Sequence, residues 1–142
     1  MSQLNRILTN FVVTEEGISR IQRLLGDLVK DVDAQAAMLV EKSGQMIATD
    51  GDVQSVDTQA IASLVSGAFA STRAVARLIG ESEFQAMFQQ GERDSIFMAS
   101  LDTNDILVVI FTDVSQTGLV KVQAQQTAVA LAAEISQMQH HK

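Results

Sequence analysis

Apolar residues recur along this chain with two different periods, and the switches between them predict its elements. Ile18, Ile21, Leu25, Leu28 and Val32 stand three and four residues apart, which puts them on one stripe of a helix. Thr14 is placed to cap that helix, and Glu15 and Glu16 in its first turn suit the positive end of the helix dipole. The pattern then shortens. Gln35 to Glu41 (QAAMLVE) is an apolar run of strand length, Lys42-Ser43-Gly44-Gln45 supplies a turn, and Gln45 to Thr49 (QMIAT) returns as a second strand.

Asp57 is the expected N-cap of a long helix that Gly80 stops. Beyond it Phe84, Ala86 and Phe88 alternate with Gln85, Met87 and Gln89, the pattern of a half-buried strand. Gly91-Glu92-Arg93-Asp94 turns into Ser95 to Leu101 (SIFMASL), and Asp102-Thr103-Asn104-Asp105 turns into Ile106 to Phe111 (ILVVIF). This last run is apolar at every position, so it belongs at the centre of a sheet with helices on both sides. Ser115 opens a final helix whose stripe is Val120, Ala124, Thr127, Leu131, Ile135 and Met138. The order α-β-β-α-β-β-β-α, with hairpin-length links between strands, predicts an α+β fold: a five-stranded, mostly antiparallel sheet covered by helices on both faces. No linker or repeat divides the chain, so residues 14–139 read as one domain between an N-terminal flank, 1–13, and a short tail, 140–142.

The long helix departs from an ordinary amphipathic pattern. With Gly67 at zero and about 100° per residue, Ala60, Ser63, Gly67, Ala70, Ser71 and Ala74 fall within about 60° of zero. Ile61, Leu64, Val65, Thr72, Val75 and Ile79 lie about 60° to 160° away and read as the face that serves the sheet. Arg73 and Arg77 mark the opposite flank, with Ser66 between them. Gly67 costs about 1 kcal/mol relative to alanine inside a helix, and a solvated face more often carries Lys, Glu and Gln. The small face therefore reads as a surface cleared for close approach, by a second copy of the helix or by another protein.

Bulk composition narrows the function classes. The chain has 142 residues, 46% of them hydrophobic and 19% charged, which fits one globular domain with a core of its own. A net charge of −7 and the lack of any Lys/Arg cluster argue against nucleic acid and acidic lipid as partners. Without cysteine there is no thiolate chemistry. Residues 1–13 (MSQLNRILTNFVV) interleave Asn, Gln and Arg with apolar residues and lack a signal-peptide core, so the expected location is cytoplasmic, with no membrane insertion. No phosphate-binding glycine loop of either standard spacing occurs. Asp102-Thr103-Asn104-Asp105 opens like a calcium loop, but Ile106 fills a ligand position. Asp50, Asp52 and Asp57 are accounted for by a solvated loop and a cap. The two histidines, His140 and His141, sit together near the end of the chain, where no nucleophile–His–acid triad can be built around them. The expectation is a binding protein with no cofactor, no metal and no catalytic centre of its own.

The ordered set Val56 to Ala68 (VDTQAIASLVSGA), Leu78 to Phe84 (LIGESEF), Gln90 to Arg93 (QGER) and Leu107 to Asp113 (LVVIFTD) resembles the Roadblock (dynein light chain) domains, and among them the bacterial MglB-like proteins. Lys42 to Gln45 (KSGQ) fits the same hairpin, and the likeness runs from about residue 11 to residue 138. The resemblance implies a Roadblock/longin-like homodimer whose sheets join edge to edge and whose long helices lie side by side. Ala60, Ser66, Phe84, Ala86 and Phe88 would then face the second copy. It also implies a partner: a small Ras-like GTPase, MglA-like, whose GTP hydrolysis such proteins stimulate without an arginine finger, in polarity and gliding-motility control. Ser63, Gly67, Ala70, Ser71 and Ala74 would lie on the platform that meets it, with Arg73 and Arg77 beside it. Roadblock domains also serve as non-catalytic dimeric scaffolds, the alternative the resemblance leaves open. A small-molecule-binding module is the weaker third reading, because Trp and Tyr are absent.

Overall fold

The computed structural model describes residues 14–140. The flank 1–13 and the end of the expected tail, 141–142, lie outside the described residues, and His140 closes the last helix. The elements run α1 (Glu15–Val32), β1 (Ala36–Val40), β2 (Met46–Gly51), α2 (Thr58–Leu78), β3 (Ala86–Gln90), β4 (Ser95–Ser100), β5 (Ile106–Phe111) and α3 (Thr117–His140). Every neighbouring pair of strands is antiparallel, in the order β2-β1-β5-β4-β3. The all-apolar run therefore does occupy the middle, and all six of its residues are buried. Its odd residues Leu107, Val109 and Phe111 join α1 and α3 in one core, while Ile106, Val108 and Ile110 join α2 in a second. Burying each such side chain contributes about 1.5–3 kcal/mol, which is why a strand apolar on both faces takes the central place.

The caps form where the sequence puts them. The Thr14 hydroxyl accepts a hydrogen bond from the Gly17 N–H at 2.9 Å, and the Asp57 carboxylate accepts from the Ala60 N–H at 3.0 Å. Helix α2 ends as the Gly80 N–H bonds the Arg77 carbonyl and the Glu81 N–H reaches back to Ala76, with Gly80 at φ +87°. That left-handed turn is cheap for glycine and closes two helix-end carbonyls. At the start of α3 the cap is Asp113, which accepts from the Ser115 N–H at 3.0 Å and opens a short 3-10 turn, Val114–Gln116, before the α-helix begins. Ser115 thus lies in the lead-in turn. Further along α3, Ala128 is buried where Thr127 was expected, since Thr127 sits half out of the core.

The β1–β2 hairpin is held by a buried polar knot. Glu41 and Asp105, each about 2% exposed, sit on adjacent strands just beyond the Val40–Ile106 pair. One Asp105 oxygen accepts from the Lys42 N–H at 2.9 Å and the other from the Thr103 hydroxyl at 2.6 Å, while Glu41 accepts from the backbone and hydroxyl of Ser43. Burial pushes the Asp105 carboxyl above the usual carboxylate range, and the nearby Glu41 adds to this, although the Thr103 and Lys42 hydrogen bonds oppose it. The folded chain then holds this proton more tightly than the unfolded chain does. Its contribution to stability falls as pH rises from the ordinary aspartate range through the raised folded value. Asp105→Asn cannot ionise, so urea unfolding from about pH 4 to about pH 7 should show the wild type losing stability relative to the variant. A gap that is flat or widens in favour of the wild type contradicts this reading.

Candidate functional site

The structure divides α2 into three faces, and not where side-chain size alone divides it. Ala62, Val65, Phe69 and Ala76 are buried against the sheet, with Thr72 half-buried in line with them. These positions step by 3, 4, 3 and 4, the unbroken spacing of a core stripe. Leu64, Val75 and Ile79, expected on the sheet, are instead exposed, Leu64 to 74% and Val75 to 52%, and Leu78 beside them is exposed to 86%. The correction has a simple cause. Ala62 and Ala76 let the helix sit close to the strands, and that seat turns the neighbouring Leu64 and Val75 sideways.

The flanks of α2 are distinguished by what lies next to them. On one side the hairpin turn comes up against the helix: the Gln59 amide donates to the Gly44 carbonyl at 3.1 Å, and the Ser66 hydroxyl donates to the Lys42 carbonyl at 3.0 Å. Gly44, at φ +98°, approaches so closely that an added Cβ would stand 3.6 Å from the Ser63 Cα and 3.7 Å from the Ser66 Cβ. Part of the small-residue pattern thus has an internal reason: Ser63 and Ser66 make room for the chain's own turn. Ser66, placed at a dimer contact by the resemblance, is brought onto this hairpin flank. The other flank carries Leu64, Val75 and Ile79 and overlooks the β4–β3 side of the sheet, because the hairpin fixes which side is β1–β2.

Between the flanks runs an outward ridge of Ala60, Gly67, Ala70, Ser71 and Ala74, all exposed. Among the described residues a Cβ added at Gly67 would meet nothing within 4 Å, so no contact among them requires glycine there. The Ser71 hydroxyl is turned back onto the Gly67 carbonyl at 2.9 Å, and the ridge offers no free side-chain donor of its own. Arg73, at its border, is held by Glu83 with 3.4 Å between Nε and Oε2, while Arg77 stays exposed. No Asp or Glu occurs anywhere in α2. The ridge is a row of small side chains, among them no acid or base.

The remaining sequence-named residues lie at the free edge of the sheet. Ala86 and Phe88 belong to β3, the edge strand, and Phe84 precedes it, half-buried. Phe88 is 40% exposed and stacks on Phe111 with ring centroids 6.1 Å apart. The β3 edge and the apolar flank of α2 thus open on the same side of the molecule. Sequence reasoning missed that flank as a surface, although Leu64 and Val75 were legible as large apolar residues outside the 62-65-69-72-76 stripe. Among the described residues no three His, Asp or Glu side chains gather as a metal site would need, and no helix is long and apolar enough to cross a membrane.

Known proteins place this geometry in a family. The Roadblock/LC7 domain matches residues 20–111. Myxococcus xanthus MglB is 35% identical and superposes with a TM-score of 0.80 over 89% of this chain and 96% of its own. The gliding protein MglB of Thermus thermophilus is 26% identical, with a TM-score of 0.83 over 89% and 96% of the two chains. A structure described as MglB with tetrameric arrangement, 25% identical, also reaches 0.83 over 90% and 96%. No curated protein sequence matches the chain. With the domain covering well over half of its length and an MglB aligning along nearly all of it, the chain belongs to the Roadblock/LC7 domain family and is built like its MglB members.

Proposed function

We propose that this chain is a homodimeric regulator that binds a Ras-like small GTPase and stimulates its GTP hydrolysis, in the manner of MglB acting on an MglA-like partner. The observation that carries the reading is the bare ridge of α2. Gly67 weakens the helix by about 1 kcal/mol with no contact among the described residues to require it, and Ala70 and Ala74 continue a surface that backbone can approach closely. The likeness to MglB supports a small GTPase as the visitor. Members of this family regulate other proteins rather than carry out catalysis, and the lack of ionisable groups along α2, other than Arg73 and Arg77, agrees with that role.

The placing of the two arginines supports stimulation without an arginine finger. Arg73 is engaged with Glu83, and both arginines sit beside the ridge on a rigid helix rather than on a loop that could reach into a nucleotide site. The regulator would act by fixing the GTPase's own switch elements against the flat ridge, so that the partner's catalytic groups are held in place.

Single-turnover GTP hydrolysis by an MglA-like GTPase, with and without this protein, tests the proposal. Acceleration of at least about tenfold is expected, equivalent to about 1.4 kcal/mol off the barrier. Binding without acceleration would reassign the chain to the scaffolding role, and no binding would refute both.

A further inference from the structure

Helix α2 has a light apolar grip on the sheet. Its buried residues are Ala62, Val65, Phe69 and Ala76, and two of these four are alanines. Apolar stabilisation scales with the area buried, so they hold a 21-residue helix less firmly than the larger core holds α1 and α3. Polar contacts then weigh more in setting where α2 sits. Among the described residues Gln59 and Ser66 both hydrogen-bond out of the helix to one short segment, the β1–β2 turn.

That turn is fixed from beneath by the two buried carboxylates, and Lys42 is the link. Its N–H donates to Asp105 Oδ1 at 2.9 Å, and its carbonyl accepts from the Ser66 hydroxyl at 3.0 Å. A single residue thus joins a carboxylate at the start of the central strand to the outer helix. The Asp105 backbone is itself anchored: its carbonyl accepts from the Leu101 N–H at 2.7 Å, and the Asn104 N–H closes the same turn onto the Leu101 carbonyl at 2.9 Å. Glu41 repeats the arrangement beside it. Its side chain accepts from the Ser43 N–H at 3.0 Å and its carbonyl from the Gly44 N–H at 2.7 Å, while the Gly44 carbonyl accepts from the Gln59 amide at 3.1 Å.

We propose that Asp105 is a positioning residue for α2, which through the peptide groups of Lys42 sets where the first half of the helix, with Gly67, sits on the sheet. The side-chain hydrogen bonds of Asp105 go to Lys42 and Thr103, and none goes to α2. Asp105→Ala leaves the Lys42 N–H without its acceptor, so the turn must shift to find another, and Ser66 loses its seat. Asp105→Asn keeps an oxygen for Lys42 and offers the Thr103 hydroxyl an amide N–H. The consequence for a partner rests on the function proposed above: a ridge whose first half has shifted no longer matches a closely fitting surface.

Urea unfolding of the wild type, Asp105→Ala, Ser66→Ala and the double variant measures the link. Unconnected residues lose stability independently, so their losses multiply in the folded-to-unfolded ratio. Here the double variant should stand at least about fivefold above that product, because Asp105→Ala has already released the carbonyl that Ser66 holds. Hydrogen exchange locates the change. In both single variants the amides of residues 62–69 should exchange at least about tenfold faster relative to those of β5, and Asp105→Asn should restore them. A general loss of stability would speed both sets alike. Should Asp105→Ala fold poorly, Asp105→Ser, too short to reach Lys42, takes its place. Independent losses, or exchange that rises equally in α2 and β5, overturn the proposal. With an MglA-like GTPase that the wild type captures, Asp105→Ala should weaken capture about tenfold and Asp105→Asn should not. A wild type that captures none refutes the proposed function, while unfolding and exchange, which involve no partner, still decide the role of Asp105.

Discussion

If the proposed function holds, Ala70→Arg is expected to give a folded protein of unchanged mass that no longer captures a Ras-like GTPase. Ala70 is exposed on the α2 ridge, away from the core stripe of Ala62, Val65, Phe69 and Ala76, so the arginine side chain meets solvent in the free protein. Arginine is nearly as good a helix former as alanine, and the cost to folding should stay within a few tenths of a kcal/mol. In the complex the same side chain would stand between two closely approaching surfaces. The partner must then withdraw or strand a buried charge, and binding should weaken at least about a hundredfold, or about 2.7 kcal/mol. Circular dichroism and light scattering check the fold and mass, and interferometry against the GTP-bound GTPase reads the affinity. Gly67→Ala sharpens the test. Its Cβ would meet nothing within 4 Å, so the free protein should gain up to about 1 kcal/mol of stability while binding weakens. If both variants bind as tightly as the wild type, the ridge is not where the GTPase docks.

Much of the fold was legible because local rules and global packing agree. The run from Ile106 to Phe111 has no polar residue to turn toward water, so only a central strand suits it, and it is central. Thr14, Asp57 and Gly80 have the chemistry their helix ends demand. The faces of α2 were less legible for a physical reason. Its apolar residues cover well over half of the helix circumference, and in one copy of the chain the sheet can bury only a part of that. Side-chain size favoured Leu64 and Val75 for the sheet, whereas closeness of approach favoured Ala62 and Ala76. Ser63 and Ser66 show a second limit. Their small size answers to Gly44 and Lys42, a hairpin contact between residues some twenty positions apart that no helical wheel contains. Gly67, Ala70 and Ala74 were legible as a face of small residues, and among the described residues all three are exposed.

Val75→Glu should turn the proposed dimer into a monomer. In one copy Leu64, Val75, Leu78 and Ile79 leave a row of large apolar side chains open to water, beside the unpaired edge of β3. Two such copies joined along β3 would bring the two α2 flanks together across the new sheet, covering the row and the strand edge in one step. Each large side chain so covered contributes about 1.5–3 kcal/mol, and a twofold axis counts each one twice. A glutamate at position 75 replaces two apolar contacts by two like charges brought toward each other in a drying interface. Dissociation should rise by more than about a hundredfold, enough to give a monomeric mass by light scattering at micromolar concentration. Val75 is half exposed in the single chain, so the monomer should keep its helical content. The ridge of Gly67, Ala70 and Ala74 would be unchanged in that monomer, which makes the variant informative about function too. If the GTPase needs both α2 helices, Val75→Glu loses binding together with dimerisation. If a single ridge suffices, the monomer binds with reduced affinity. A variant that remains fully dimeric would remove this flank from the interface and leave the β3 edge to carry the association alone.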